Sequence, residues 1–250
     1  MRILLTNDDG IDSPGLVALH RALSPTHAVD VIAPDRNWSI AGHNKTMDRP
    51  LRVTARRWGP ARVHATDGSP SDCVALAALG FLDAKPELVV AGINTGPNLG
   101  DDITYSGTVA AAMEGIISEI PSIAVSMDGY QDWHFDTAAA FVVRLVQEVA
   151  RHGLPAGVLL NVNVPNVAPA AITGVAVTRL GRRIYRDELI KRLDPRGRAY
   201  YWIGGAIPES HLEAGTDAHA VANGQISVTP IHLDLTNHRL LEVIGAWNLT

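Results

Sequence analysis

Two carboxylates stand side by side in "MRILLTNDDGIDSPGL", where Asp8 and Asp9 close an apolar, β-prone run and Gly10 follows. Neighbours within a strand point to opposite faces, but a chain leaving its strand through a glycine can turn both carboxylates to one point. Charges placed that way repel, and a cation between them resolves the repulsion. The plainer alternative is that one Asp caps the next turn and the other faces solvent.

Two other stretches carry comparable chemistry. "AGINTGPNLGDDITYSGTVAAAMEG" joins a strand to a helix through a loop dense in Gly and Asn, with Ser106, Gly107 and Thr108 where the helix begins. Free backbone N–H groups at such a start bind anions, and Gly107 lets a ligand approach them. An isolated "SGT" reads as a plain cap; beside "GINTGPNLG" and an acidic pair, a phosphate site is the better reading. "APDRNWSIAGHNKT" follows a second strand and holds Trp38, Ser39 and His43. His43 can be read as a proton donor to a leaving oxygen or as a solvated loop residue, and the second reading is preferred. Trp38 suits stacking on a base and packing equally.

These groups must be positioned by an alternating chain. "RILLT", "AVDVIAPD", "PELVVAGIN", "SIAVSM" and "GVLLNVNVP" read as buried strands. Between them "SPGLVALHRALSP", "SPSDCVALAALGFL", "SGTVAAAMEGIIS" and "DTAAAFVVRLVQEVARHG" read as helices, the first two opened by a Ser cap with Pro in the first turn and the last closed by Gly153. The pattern predicts an α/β fold with a mostly parallel sheet covered on both faces, in which ligands bind beyond the carboxyl ends of the strands. After about residue 169 the texture changes: "RLGRRIYRDELIKRLDPRGRAYYWIGG" has eight basic residues against three acidic. We expect a core over residues 1–178 and a C-terminal extension over 179–250 that packs on the core or on another subunit. Its basic stretch reads as an arm meeting a partner subunit rather than a phosphate trap, and "ISVTPIHL" as a strand with no obvious partner nearby.

"ILLTNDDGIDSPGL", "APDRNWS", "DRPLRV", "DGSPSDCV", "GINTGPNLGDDITYSGTVAAAMEG" and "ISVTPIHLDLT" together, in this order and spacing, resemble the stationary-phase survival protein SurE family of metal-dependent nucleotidases. The resemblance implies a Rossmann-like core, a C-terminal arm exchanged between subunits of a homodimer or homotetramer, and hydrolysis of nucleoside 5′- or 3′-monophosphates with one divalent cation per subunit. Carried over by position, it makes Asp8, Asp9, Ser39 and Asn94 the metal ligands and sets Asn98 and the Ser106, Gly107, Thr108 turn beside the phosphate. Two carboxylates, a hydroxyl and an amide carbonyl are hard oxygen donors that suit Mg²⁺ or Mn²⁺. Such a cation polarises a phosphoryl oxygen and activates water, and we take Asp8 and Asp9 as the catalytic pair in that sense. Attack on phosphorus by one of the acids themselves is the less favoured route, because both are needed to hold the metal.

Composition sets outer limits. The chain has 250 residues, 46% apolar and 19% charged, with mean hydropathy +0.08, the profile of a folded globular protein. A net charge of -5 and a pI near 6.0 argue against a nucleic-acid polymer as main partner. No apolar stretch approaches membrane-spanning length, Met1 to Leu5 lacks the apolar region of a secretion signal, and the single Cys73 reads as a small buried hydrophobe, so a cytoplasmic location is expected. The competing functions are a nucleotide-sensing module without turnover and a broad acid phosphatase or exopolyphosphatase.

Overall fold

The computed structural model of the chain describes residues 1–129, 131–205 and 208–249. The first half alternates as its apolar runs require: β1 (Arg2–Thr6), α1 (Pro14–Leu23), β2 (Ala28–Pro34), β3 (Val53–Trp58), β4 (Ala61–Thr66), α2 (Pro70–Ala78), β5 (Leu88–Thr95) and α3 (Gly107–Ile117). β6 (Ser122–Asp128), α4 (Phe135–His152) and β7 (Val158–Pro165) complete the alternation. Then come β8 (Gly174–Val177), β9 (Arg182–Ile184), β10 (Asp187–Leu193), β11 (Ala199–Gly205), β12 (Glu209–His211), α5 (Asp217–Ala222), β13 (Gln225–His232) and α6 (His238–Gly245).

Nine strands form one sheet in the order β3-β4-β2-β1-β5-β6-β7-β13-β8. The run β4-β2-β1-β5-β6-β7 is parallel, while β3 and β13 run antiparallel to β4 and β7. Period-two alternation in β1 assigns its side chains to two layers. Ile3 and Leu5 pack with Leu16 and Leu19 of α1 and Val142 of α4, whereas Leu4 packs with Cys73 and Val74 of α2 and Ala111 of α3. Cys73 is fully buried, and burial pushes its thiol pKa up, as expected of an inert small hydrophobe.

Strand order also places the site. From β1 the chain winds outward through β2 and β4, then returns to β5 on the other side of β1 and winds the opposite way. The reversal opens a crevice at the carboxyl ends of β1 and β5, the position where open α/β sheets bind ligands.

Helix ends follow local chemistry at α2 and at the end of α4, but not at the start of α1. Ser69 and Asp72 form a reciprocal capping box at α2, and Gly153 ends α4 at φ +73°. Ser13 occupies the cap position of α1, but its side chain makes no capping hydrogen bond, leaving Pro14 to start the helix.

The C-terminal segment corrects one expectation. The strand expected to lack a partner enters the sheet as β13, antiparallel to β7 and parallel to β8, with Ile226 to Thr229 buried. A strand from beyond residue 178 thus packs within the sheet of the core. Alternation in "ISVTP" reveals a half-buried strand but not which edge receives it. Among the described residues beyond β8, the β10–β11 hairpin and α6 stand away from the core: α6 buries no residue, and Leu189, Trp202, Ile203, Leu241 and Trp247 are exposed. Ending the chain after Val177 strips β13 from β7 and leaves a long unpaired edge, so that variant is expected to be insoluble. Ending it after Asp234 keeps the sheet whole and is expected to leave soluble, cooperatively unfolding protein. Soluble yield and thermal unfolding of the two truncations check this.

Candidate active site

The acidic pair is set by a turn that Asn7 holds closed: its Nδ2 donates to the Gly10 carbonyl at 3.0 Å and its Oδ1 accepts from Gly10 N at 3.2 Å. Gly10 has φ +100° and sits so close to Arg36 that an added Cβ would lie 3.2 Å from its backbone. Asp8, only 4% exposed, accepts from Thr108 Oγ1 at 2.5 Å, and its carbonyl accepts from Trp38 N at 2.8 Å. Asp9 accepts from Thr95 N at 3.0 Å and from Thr95 Oγ1. Burial drives the Asp8 carboxyl up to about 6 against the pull of Thr108, with the Asp9 charge adding to the rise. Burial also raises Asp9, against the hydrogen bonds from Thr95. Both acids thus carry negative charge that the protein leaves undercompensated.

Gly107 has a close neighbour within the chain itself. Ser106 caps α3 by accepting from Val109 N at 3.0 Å, and the Thr108 backbone N–H is turned to the Asp8 carboxylate. Gly107 opens the helix without positive φ, and a Cβ there would lie 2.7 Å from Asp8 Cβ and 2.9 Å from its Oδ2. The close approach that demands glycine is therefore made by a carboxylate of the chain itself. Thr108 is spent on Asp8 as well, so the helix start and the acidic pair form one wall.

Asn94 and Ser39 each adjoin a residue bonded to the acidic pair, Thr95 and Trp38, whereas Asn98 is anchored on β6 and β7. Asn94, beside Thr95 at the end of β5, donates from Nδ2 to the Gly96 carbonyl at 2.8 Å, which leaves its Oδ1 for another partner. A register shift in the β5–β6 pairing between Ala91 and Asn94 re-aims this strand end. Ser39 is exposed one residue past Trp38, and its N and Oγ both donate to Asn37 Oδ1 at 2.6 Å. Asn98 is buried: its Nδ2 donates to Ser126 Oγ at 2.6 Å, its N to Asn163 Oδ1 at 2.8 Å, and its carbonyl accepts from Asn161 and Asn163. It anchors the 96–106 loop from beneath.

Several supports went unread in the sequence. Asn161 and Asn163 stand two apart in the apolar strand "LLNVNVP", a spacing that puts both on one face and signals a buried polar network. Fully buried Asp217 accepts from Gly100 N and Gly181 N, each at 2.8 Å. Arg183 pairs with Asp102 at 2.8 Å, and Tyr185 donates to the same carboxylate. Part of the basic stretch is thus a brace on the Gly100–Thr104 turn.

Two buried carboxylates fasten the loop that carries Ser39. Asp72 of α2 accepts from Thr46 N at 2.9 Å and Thr46 Oγ1 at 2.6 Å; Glu114 of α3 accepts from Lys45 Nζ at 2.6 Å and from His43 at 3.2 Å. Burial opposes ionisation of both, but these hydrogen bonds outweigh it and hold both carboxyls below their ordinary range. A depressed carboxyl contributes stability that is present above its unfolded value and lost as pH falls through the folded one. Thermal stability is therefore expected to fall as pH drops below the ordinary glutamate value of 4.5, and less steeply in Glu114→Gln than in wild type. Melting temperatures from pH 3 to 7, titrated in steps of about half a unit, check this.

The donor set fits a hard divalent cation. Among the described residues no three His, Cys, Asp or Glu side chains gather at one place, so Asp8 and Asp9 would be joined by neutral oxygens such as those of Ser39 and Asn94. The family model described as survival protein SurE matches residues 3–187.

The chain belongs to the SurE family.

It is 55% identical to the 5′-nucleotidase SurE of Chloroflexus aggregans over 252 residues, covering 99% of each chain. With the 5′-nucleotidase SurE of Moorella thermoacetica it shares 49% identity over 99% of this chain and 96% of that one. The crystal structure of the SurE protein from Aquifex aeolicus superposes with a TM-score of 0.85 at 46% identity, covering 98% of both chains. This SurE fold is α/β with a mostly parallel sheet, and among the described residues no helix is long and apolar enough to cross a membrane.

Proposed function

We propose that this chain is a metal-dependent phosphomonoester hydrolase acting on nucleoside 5′-monophosphates, and on 3′-monophosphates as well. One observation carries the reading: Asp8, the buried half of the acidic pair, touches both Gly107 and Thr108 at the start of α3. A cation site and an anion site then share a single carboxylate wall, which is what a phosphate ester held from two sides requires. The names of the relatives, which are 5′-nucleotidases, support the choice of substrate.

Asp8, Asp9, Ser39 and Asn94 would hold Mg²⁺ or Mn²⁺, which supplies polarisation of a phosphoryl oxygen and a water of lowered pKa. Thr108 and Thr95 fix the carboxylates so that neither swings away when charge develops. The positive end of the α3 dipole would favour the phosphate there, and the Asn98 network ties down the loop before it. The exposed apolar hairpin and α6 support a homodimer or homotetramer with exchanged arms, and a single buried Cys73 suits a cytoplasmic enzyme. Phosphate release from a panel of nucleoside 5′- and 3′-monophosphates, with chelator and after Mn²⁺ is restored, tests the proposal. Release that chelator abolishes and Mn²⁺ restores is expected. Turnover indifferent to chelator overturns the metal, and binding without release makes the protein a sensor.

A further inference from the structure

Glu114 is a charged residue on an otherwise apolar helix, and it is only 4% exposed. It follows Gly107 by seven residues, two helical turns, and so shares the helix face that Gly107 presents to Asp8. Its two oxygens receive donors from a single loop, Lys45 Nζ on Oε1 and His43 Nε2 on Oε2. A buried carboxylate stripped of such partners is strongly unfavourable, so the loop's position and the Glu114 charge are bound together.

The same loop is under backbone strain where it passes the site. Ile40, the residue after Ser39, is β-branched and 81% exposed, yet it has φ +61°, and Gly42 repeats that value. A branched side chain holds such a conformation only when its surroundings fix it. On the near side the loop is tied by Trp38 N to the Asp8 carbonyl and by Gly42 N to the Tyr105 carbonyl. Among the described residues Ser39 bonds to Asn37, inside the loop. Ser39 is thus held between the Trp38 tie to Asp8 on one side and, on the other, the anchors that His43 and Lys45 make to Glu114 and Thr46 makes to Asp72.

We propose that Glu114 is a positioning residue for the cation site: through His43 and Lys45 it registers the Ser39 loop against the helix whose start abuts Asp8. The proposal rests on the reading of Ser39 and Asp8 as metal ligands. Groups that support ligands from behind in this way typically change metal affinity by 10–100-fold when removed. Glu114→Gln keeps the shape of the side chain and removes the charge that grips both donors.

Calorimetric titration of the full-length protein with Mn²⁺ tests this, using Glu114→Gln, Ser39→Ala, the double variant and Asp8→Asn. Folding is checked by circular dichroism. Glu114→Gln is expected to weaken Mn²⁺ binding about tenfold. Ser39→Ala should weaken it in wild type but cost little more in the Glu114→Gln background, because Ser39 is already out of place there. A folded Glu114→Gln that binds Mn²⁺ within about twofold of wild type overturns the proposal, as do fully additive costs. Should Glu114→Gln fail to fold, Lys45→Met carries the test, with severalfold weaker binding expected and unchanged binding overturning it. Asp8→Asn separates the two levels: if it abolishes Mn²⁺ binding while Glu114→Gln leaves binding intact, only the positioning role falls. If Asp8→Asn binds Mn²⁺ normally, the reading of the site itself falls.

Discussion

Asp8→Asn and Asp9→Asn each lower kcat/KM on a nucleoside monophosphate by at least about 100-fold, and weaken Mn²⁺ binding in step, while the fold survives. Each substitution removes one formal charge from the proposed cation site and almost no volume. For Asp8 the account makes a second, opposite expectation. Its carboxyl is raised from 3.8 to about 6 by burial, so the ionised form costs the metal-free protein on the order of 2–3 kcal/mol at neutral pH. Asn carries no such cost and can still accept from Thr108. Metal-free Asp8→Asn should therefore melt several degrees above wild type at pH 7.5, and the gain should shrink as pH falls below about 6 and vanish below the ordinary value of 3.8. Differential scanning calorimetry with chelator, beside steady-state kinetics with Mn²⁺, reads both effects. Near-normal kinetics at ordinary metal concentration in both variants would remove Asp8 and Asp9 from the catalytic pair.

Gly107→Ala is expected to be nearly as damaging, and in a revealing way. Had glycine been required only so that phosphate could approach, a methyl group would weaken phosphate binding and leave the metal untouched. The structure instead puts the new Cβ 2.7 Å from Asp8 Cβ, closer than real Cβ contacts come, so either the carboxylate or the helix start must shift. Overpacking of this kind costs about 1–3 kcal/mol and displaces a proposed ligand at the same time. Mn²⁺ affinity and product affinity should fall together, with kcat/KM down by about 100-fold or more. Titrations with Mn²⁺ and with nucleoside product, run separately, distinguish the two cases. Intact Mn²⁺ affinity beside lost product affinity would mean that Asp8 yields without consequence.

How far the sequence reaches is clear from particular residues. Apolar runs alternating with capped helices announce the parallel core, because strands buried on both faces have little choice of composition. Asp8 and Asp9 are conspicuous for the same reason: paired charges at the end of "ILLT" have no local explanation. The place of β13 is not legible, since its alternation is satisfied by any half-buried position in a sheet and its neighbour β7 lies some 60 residues earlier. Nor is the partner of Gly107 legible, a carboxylate about 100 residues away in sequence. Glu114 in "AAAMEGII" is an intermediate case. A lone acid in an apolar helix hints at burial, but only the fold reveals that His43 and Lys45 are what it is buried against.

Anomalous diffraction from crystals of this protein soaked in Mn²⁺, with a non-hydrolysed phosphate analogue present, examines the shared wall most directly. One anomalous peak per subunit is expected, bound by Asp8 and Asp9 with Ser39 and Asn94 alongside, and the analogue's phosphate should lie between that peak and the first N–H groups of α3. A peak elsewhere, or a phosphate seated away from the start of α3, would contradict it.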